Sequence, residues 1–220
     1  MIPGARLVLM GRQGAGKGTQ CVRLSRHYVV PHISTGDILR AAVREQTEFG
    51  LKAQEYMHAG ELLPDDVMVG IIDERLERDD TRTRGFILDG FPRTVAQAAS
   101  LLQITAPRGI DMVVNLEVPR EVVLRRLAGR RVCDDCGANY SDEAPPKYPP
   151  NCDTCGGDVV LRDDDTEDAI TRRLDLYERE TAPLMEWFQA RDLFVEVDGE
   201  GPLDTVTDRL VREIDRYREL

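Results

Sequence analysis

A chain of 220 residues, 41% hydrophobic and 31% charged, suits one large domain or a core with an inserted lobe, in the ordinary balance of a folded protein. Its formal charge of −11 argues against a broad nucleic-acid or anionic-membrane surface, although a local arginine cluster can still hold a small anion. No run is apolar for long enough to span a bilayer, and "MIPGARLVLMG" enters a strand-like segment with no room for a signal or transit peptide. The expected setting is cytoplasmic and reducing, where disulfides are the least expected use of cysteine.

In chain order, "RLVLM" (6–10), "HIS" (32–34), "GFILD" (85–89), "DMVVNLEV" (111–118) and "LFVEV" (193–197) read as strands. Most are continuously apolar, as parallel strands covered on both faces are. Helical patterns separate them. Cys21 shares a face with Leu24 and Tyr28 and reads as a small core residue. Pro64 opens a helix with Val67, Ile71 and Leu76 on one face. A helical pattern beginning near Thr166 runs through "AITRRLDLYERETAPLMEWF", and a last one carries Leu203, Val206, Leu210, Ile214 and Tyr217. The expectation is α/β: a doubly wound, five-stranded parallel sheet. Residues 131–161 break the rhythm with turn residues, prolines and cysteines, which predicts a small lobe inserted into a core of 1–130 and 162–220.

"GRQGAGKGT", Gly11 to Thr19, follows the first strand with the spacing of a phosphate loop. Glycines there let backbone N–H groups and a helix N-terminus face phosphate oxygens. Lys17, one of only three lysines beside Lys52 and Lys147, would reach the β- and γ-phosphates. Thr19 lies near the Mg²⁺ position, and Asp89 ends "GFILD" where it can hold the water shell of Mg²⁺.

His27, His32 and His58 have no partner in a nucleophilic motif and read as surface or packing residues. An acceptor hydroxyl usually needs an Asp to take its proton, whereas an acceptor phosphate is already an anionic nucleophile. It needs cations to hold two repelling phosphates in line, and Arg40, Arg93, Arg130, Arg131, Arg162, Arg172 and Arg173 stand at element ends. Catalysis would then rest on positioning and electrostatic stabilisation.

Cys133-x2-Cys136, fifteen residues, then Cys152-x2-Cys155 fits a zinc pattern, with Gly137 and Gly156 after each pair for a tight turn. Four thiolates close a tetrahedral site, which favours a structural metal that replaces the missing core. A redox dithiol, unligated thiols or an Fe–S cluster are the other uses of four cysteines.

"GRQGAGKGTQ", "HISTGDILR", "GELL", "GFILDGFPRTVAQA", "GRR", "RDDD", "TRRL" and "TAPL" follow one another as in adenylate kinases. The chain resembles the long-lid bacterial type of that family over nearly its whole length. The resemblance implies a P-loop nucleoside monophosphate kinase converting ATP and AMP to two ADP with Mg²⁺, serving adenine nucleotide balance. It also implies a cytoplasmic monomer with a structural zinc in a mobile lid. Gly11, Gly14, Ala15, Gly16, Lys17, Gly18 and Thr19 would hold ATP phosphates, and Arg126, with Tyr140 nearby, would meet its adenine. Thr35, Gly36, Arg40, Leu63, Gly90, Arg93 and Gln97 would form the AMP site within and beyond a helical segment at about 34–63, Gln97 reading the adenine edge. Arg130, Arg162 and Arg173 would close on the transferred group. Asp164 and Asp165 resemble an acidic pair linking lid to core, with Asp163 a third carboxylate that leaves the register open. Gln13 stands where the family commonly has proline, which predicts a slightly freer loop. Two rival readings stay open. One is a kinase of CMP, UMP or GMP. The other is a P-loop, zinc-ribbon nucleic-acid-binding ATPase, disfavoured because only Lys147 opposes Asp142 and Glu143 between the cysteine pairs.

Overall fold

A computed structural model describes residues 4–142, 144–162 and 164–218. The first half alternates as expected: β1 (Ala5–Met10), α1 (Lys17–Tyr28), β2 (His32–Ser34), α2 (Thr35–Arg44), α3 (Glu48–Ala59), α4 (Asp65–Leu76), α5 (Asp79–Arg84), β3 (Gly85–Asp89) and α6 (Val95–Ile104). There follow β4 (Met112–Glu117), α7 (Arg120–Ala128), the short strands β5 (Arg131–Cys133), β6 (Asn139–Tyr140) and β7 (Val159–Val160), and α8 (Glu167–Leu176). A π-helical turn (Tyr177–Thr181), α9 (Pro183–Gln189), β8 (Phe194–Asp198) and α10 (Leu203–Arg218) complete the chain. The five predicted strands all form, two with the expected ends and three with ends shifted by one residue.

They build one parallel sheet in the order β2-β3-β1-β4-β8. Successive residues of β1 enter opposite faces because side chains alternate along a strand. Leu7 and Leu9 pack with Leu24 of α1 and with Leu210 and Ile214 of α10. Val8 and Met10 pack with Ile72 of α4, Leu101 of α6 and Phe188 of α9. The chain winds outward from β1 in both directions, so the sheet's switch point lies beside β1. Its carboxyl edge there is the expected place for a ligand.

Three helix readings need correction. Met68, Ile72 and Leu76 are the buried stripe of α4, with Val67 and Ile71 flanking it. Leu203 is 45% exposed and only begins α10. The pattern from Thr166 is not one α-helix. Thr166 caps α8 by accepting from Ala169 N, but the helix then widens to a π-turn in which Ala182 N donates to Tyr177 O at 2.8 Å. Pro183, which has no N–H to donate, sits at the first position of α9 and accounts for the change.

The short strands pair antiparallel as β6-β5-β7, a separate sheet within residues 131–160. Among the described residues of 131–161, only Cys133, Pro146 and Cys152 are buried. None of the described residues of this segment belongs to either apolar cluster.

Candidate active site

The phosphate loop folds as its glycines require. Gly14 has φ +82, and a Cβ there would come within 2.8 Å of the Leu127 side chain. Gly16 at the N-cap of α1 offers no side-chain cap, and no acidic residue lies in the first turn. The opening N–H groups of α1 are therefore left for an anion. Lys17 Nζ donates to the carbonyls of Gly11 and Arg12 at 2.8 and 2.9 Å, arched over the loop. Burial pushes the Lys17 ammonium down to about 8, against the pull of Asp89. Gln13 is less free than its sequence context suggests, since its Nε2 donates to Asp165 Oδ1 at 3.0 Å, while its Oε1 is buried without a partner.

A cavity of about 300 Å³ opens from this loop. Of the sequence-predicted ATP-side residues, Gly11, Gly14, Gly16, Lys17, Gly18 and Thr19 line it; Ala15, Arg126 and Tyr140 do not. Arg126 instead braces the loop, donating to Ala15 O at 3.2 Å, and the Tyr140 hydroxyl donates to Cys152 Sγ at 3.2 Å. On the other wall stand Thr35, Gly36, Arg40, Leu63, Gly90, Arg93 and Gln97. Thr35 Oγ1 donates to Gly90 O at 3.1 Å and Arg93 Nε to the same carbonyl at 2.8 Å, which ties the start of α2 to the turn after β3. Gln97 is held at both ends of its amide: Oε1 accepts from Arg93 N at 2.8 Å, and Nε2 donates to Asp65 Oδ1 at 2.7 Å. That pairing forbids an amide flip, and leaves one acceptor lone pair and one N–H in a fixed order.

Arg130 after α7, Arg162 in the loop before α8 and Arg173 on α8 reach the same cavity. Two carboxylates hold them there. Arg130 forks onto Asp165 at 2.6 and 2.5 Å, and Arg162 onto Asp164 at 3.1 and 2.8 Å. Arg173 lies 3.0 Å from Asp164 and 3.6 Å from Asp165, and donates to Met57 O at 2.6 Å. Burial opposes the charge on Asp164, but Arg162 and then Arg173 hold its carboxyl well below the usual range. Arg130 is also pushed below its ordinary value, by burial and then by the charge of Arg162. Asp163 lies outside the described residues. Arg131 and Arg172 stand apart from the cavity, donating to Arg130 O and Ala59 O.

Asp89 ends β3 beside the loop, and burial of its carboxyl is outweighed by His32, Lys17 and Arg93, which keep it ionised. His32 is thus more than a packing residue: its Nε2 lies 3.5 Å from Asp89 Oδ2, and the ligand atoms of Cys21, His32 and Asp89 fall within 4.8 Å of one another. Cys21 is fully buried, as its helical face predicts.

The cavity also has walls to which the sequence assigned no role. Asn139, Tyr177 and Thr181 line it. Tyr177 donates to Asn115 Oδ1 at 3.2 Å and Thr181 to Arg93 O at 3.0 Å, so the π-turn seats both on the core. "YERET" reads as ordinary helix, and only Pro183 after it hints at the widened turn.

Away from the cavity, the four cysteines converge. Cys133 and Cys155 sulfurs are 3.4 Å apart, Cys136 and Cys152 sulfurs 3.5 Å, and all four lie within 4.8 Å of one another. A tetrahedron with Zn–S bonds of about 2.3 Å has edges of about 3.8 Å, so the set fits one zinc ion. Gly137 N donates to Cys133 O and Gly156 N to Cys152 O, both glycines at positive φ. The two knuckles match each other.

The model of the adenylate kinase family matches residues 9–193. Adenylate kinase of Moorella thermoacetica is 47% identical over 214 residues, 96% of this chain and 98% of that protein. That of Geobacter sp. (strain M21) is 51% identical over 203 residues, covering 91% and 94%. That of Methanosarcina mazei is 50% identical over the same length and coverage. With a phosphate loop, a wall of guanidiniums and a four-cysteine segment in one frame, the chain belongs to the adenylate kinase family, whose members are nucleoside monophosphate kinases.

Proposed function

We propose that this chain transfers the γ-phosphoryl group of ATP to AMP, reversibly and with Mg²⁺, giving two ADP and keeping the adenine nucleotides in balance. The observation that carries the reading is the convergence of the phosphate loop with Arg40, Arg93, Arg130, Arg162 and Arg173 on one cavity. A phosphate oxygen of AMP attacks the γ-phosphorus, the bond from that phosphorus to the β–γ bridging oxygen breaks, and ADP leaves. No proton need move, so the work is positioning and charge stabilisation.

Gly11, Gly14, Ala15, Gly16, Lys17, Gly18 and Thr19 would bind the ATP phosphates, with Lys17 following the migrating charge. Arg126 would lie against the ATP adenine; Tyr140, its hydroxyl committed to Cys152, would have its ring to offer. Thr35, Gly36, Arg40, Leu63, Gly90, Arg93 and Gln97 would hold AMP, with 34–63 as the AMP-binding segment. Arg93, Arg130, Arg162 and Arg173 would bridge the two nucleotides. Before substrate arrives, Asp164 and Asp165 keep these guanidiniums apart and ordered, and incoming phosphates take over that neutralising role. Asp89, ionised beside Thr19 in the cavity, fits the water shell of Mg²⁺. The metal would supply charge neutralisation at the β- and γ-phosphates.

The pinned amide of Gln97 supports AMP over GMP and UMP. Its oxygen and N–H, in fixed order, match the amino donor and ring-nitrogen acceptor of adenine and oppose the reversed edges of guanine and uracil. Cytosine shares adenine's order, which makes CMP the rival to measure. Residues 131–161 would close as one body over ATP and exclude water, stiffened by zinc on Cys133, Cys136, Cys152 and Cys155, with 1–130 and 162–220 as the core. A cytoplasmic monomer acting on small nucleotides, without nucleic acid or membrane, accords with the net charge of −11. No helix among the described residues is long and apolar enough to cross a membrane.

A coupled ADP-forming assay with AMP, CMP, GMP and UMP tests this, with zinc measured in the same sample. AMP should be used fastest and CMP next, with about one zinc per chain. A CMP rate above that of AMP would overturn the substrate assignment.

A further inference from the structure

At the opposite end of the sheet, among the described residues, a second cavity of about 240 Å³ opens where β1 and β3 begin. Five arginines, Arg6, Arg82, Arg84, Arg108 and Arg218, line it with one carboxylate, Asp111. In a chain of net charge −11 that is a marked local reversal of sign. The six residues of β1 separate it from the phosphate loop by roughly 20 Å at about 3.3 Å per residue, so it is no extension of the nucleotide cavity.

Most of the available counter-charge is already engaged. Asp111 Oδ2 accepts from the Arg6 backbone N–H at 2.9 Å and lies 3.8 Å from Arg218 Nε, and Arg218 also donates to Gly4 O. Arg108 Nη1 donates to Arg82 O at 3.0 Å. Arg6 is the odd member. Its guanidinium lies 5.3 Å over the centre of the Phe86 ring, which occupies the flat face but none of the N–H groups at its edge. Nε and Nη1 are buried with no hydrogen-bond partner. An unpaired buried donor costs about 1–3 kcal/mol, more when charged, and its persistence calls for a missing ligand. Burial and then the charge of Arg108 both push this guanidinium below its ordinary value, the direction an anion would reverse.

We propose that this cavity is a second anion site, which takes a compact polyphosphate anion of tripolyphosphate size through the orphaned edge of Arg6 and the side chains of Arg84 and Arg108. A guanidinium fork matches phosphate oxygens two at a time, and several forks around one space suit several linked phosphates. The space is smaller than the roughly 300–1,000 Å³ that encloses a drug-sized ligand, so the polyphosphate enters without a nucleoside. The ligand joins α5 and β3 to β1 and the loop before β4, and binding stabilises the folded chain.

Calorimetric titration of sodium tripolyphosphate into the full chain tests the site, with the nucleotide cavity saturated by ADP. One binding event is expected, at least tenfold weaker in the double variant Arg84→Ala/Arg108→Ala, whose turnover of ATP with AMP stays unchanged. Both replaced side chains are exposed, so the variant folds. Absence of an event in the ADP-saturated chain would overturn the proposal, as would undiminished affinity in the variant, which would place the anion elsewhere on the surface. Melting in the presence of ADP supplies the second readout: tripolyphosphate should raise Tm more for the parent than for the variant. An equal rise with sodium chloride at matched ionic strength would reduce the effect to screening. Orthophosphate binding as tightly as tripolyphosphate would overturn the assignment of size.

Discussion

Around the nucleotide cavity, Lys17, Asp89, Arg93 and Asp164 are drawn from water by a frame of two apolar clusters, whereas residues 131–161 have only three buried side chains among those described, two of them cysteines. The first region can hold uncomfortable charges because the sheet and its helices are stable without them. The second has no such frame, and its four sulfurs must do the ordering. Chemistry and local stability are therefore separable in this chain. The cavity should fail in rate when altered, and the cysteine segment should fail in folding.

The largest expected effect sharpens the first half of that contrast. Lys17→Met should lower kcat by about 10²–10³ or more, the loss found when a transition-state electrostatic donor is removed. The same change relieves a buried charge, so the melting temperature should stay level or rise. Steady-state kinetics and calorimetry on one sample would check both, and a collapse of stability with normal turnover would reverse the comparison.

Cys152→Ser should act the other way round. Zinc content and thermal stability should drop, while turnover at low temperature stays within about tenfold of the parent, because the four sulfurs face one another and none lines the nucleotide cavity. Abolished turnover in a cold, folded, zinc-free sample would move the cysteines into the chemistry.

A smaller effect belongs to pH. Folding lowers Lys17 from its ordinary 10.5 to about 8, so between these values the unfolded chain binds more protons and stability rises with pH. The burial penalty is fully present below about pH 8 and relieved toward 10.5. Phosphate of ATP favours the protonated ammonium, so binding near pH 8 should take up about half a proton per chain. Titrations in buffers of different ionisation enthalpy would read this, and the uptake should vanish in Lys17→Met. Proton release instead would contradict a cationic Lys17 in the complex.

Much of this was legible in the residues alone. Local rules act over a few neighbours: short, near-continuous apolar runs marked the five strands, glycine spacing marked the loop, and paired CxxC spacing marked the metal set. Local pattern also listed seven arginines at element ends, and only the family resemblance chose among them. Arg130, Arg162 and Arg173 enter the cavity while Arg131 and Arg172 do not, because a one-residue step along a strand or helix turns a side chain to another face. Gln13 had seemed a loosening of the loop, yet its partner Asp165 lies 152 residues away and could not be seen from the motif. His32 likewise acquired its neighbour Asp89 only when β2 paired with β3.

The sequence by itself determined the sheet, the phosphate loop, the cysteine tetrad and the family, since each is written in spacing along a few residues or in overall similarity. Tertiary structure alone decided which guanidiniums share which carboxylate, which way the Gln97 amide faces, where the helix widens beside Tyr177, and that five arginines meet at the sheet's far end. These depend on groups brought together across long stretches of chain, where only packing of the core fixes direction and distance.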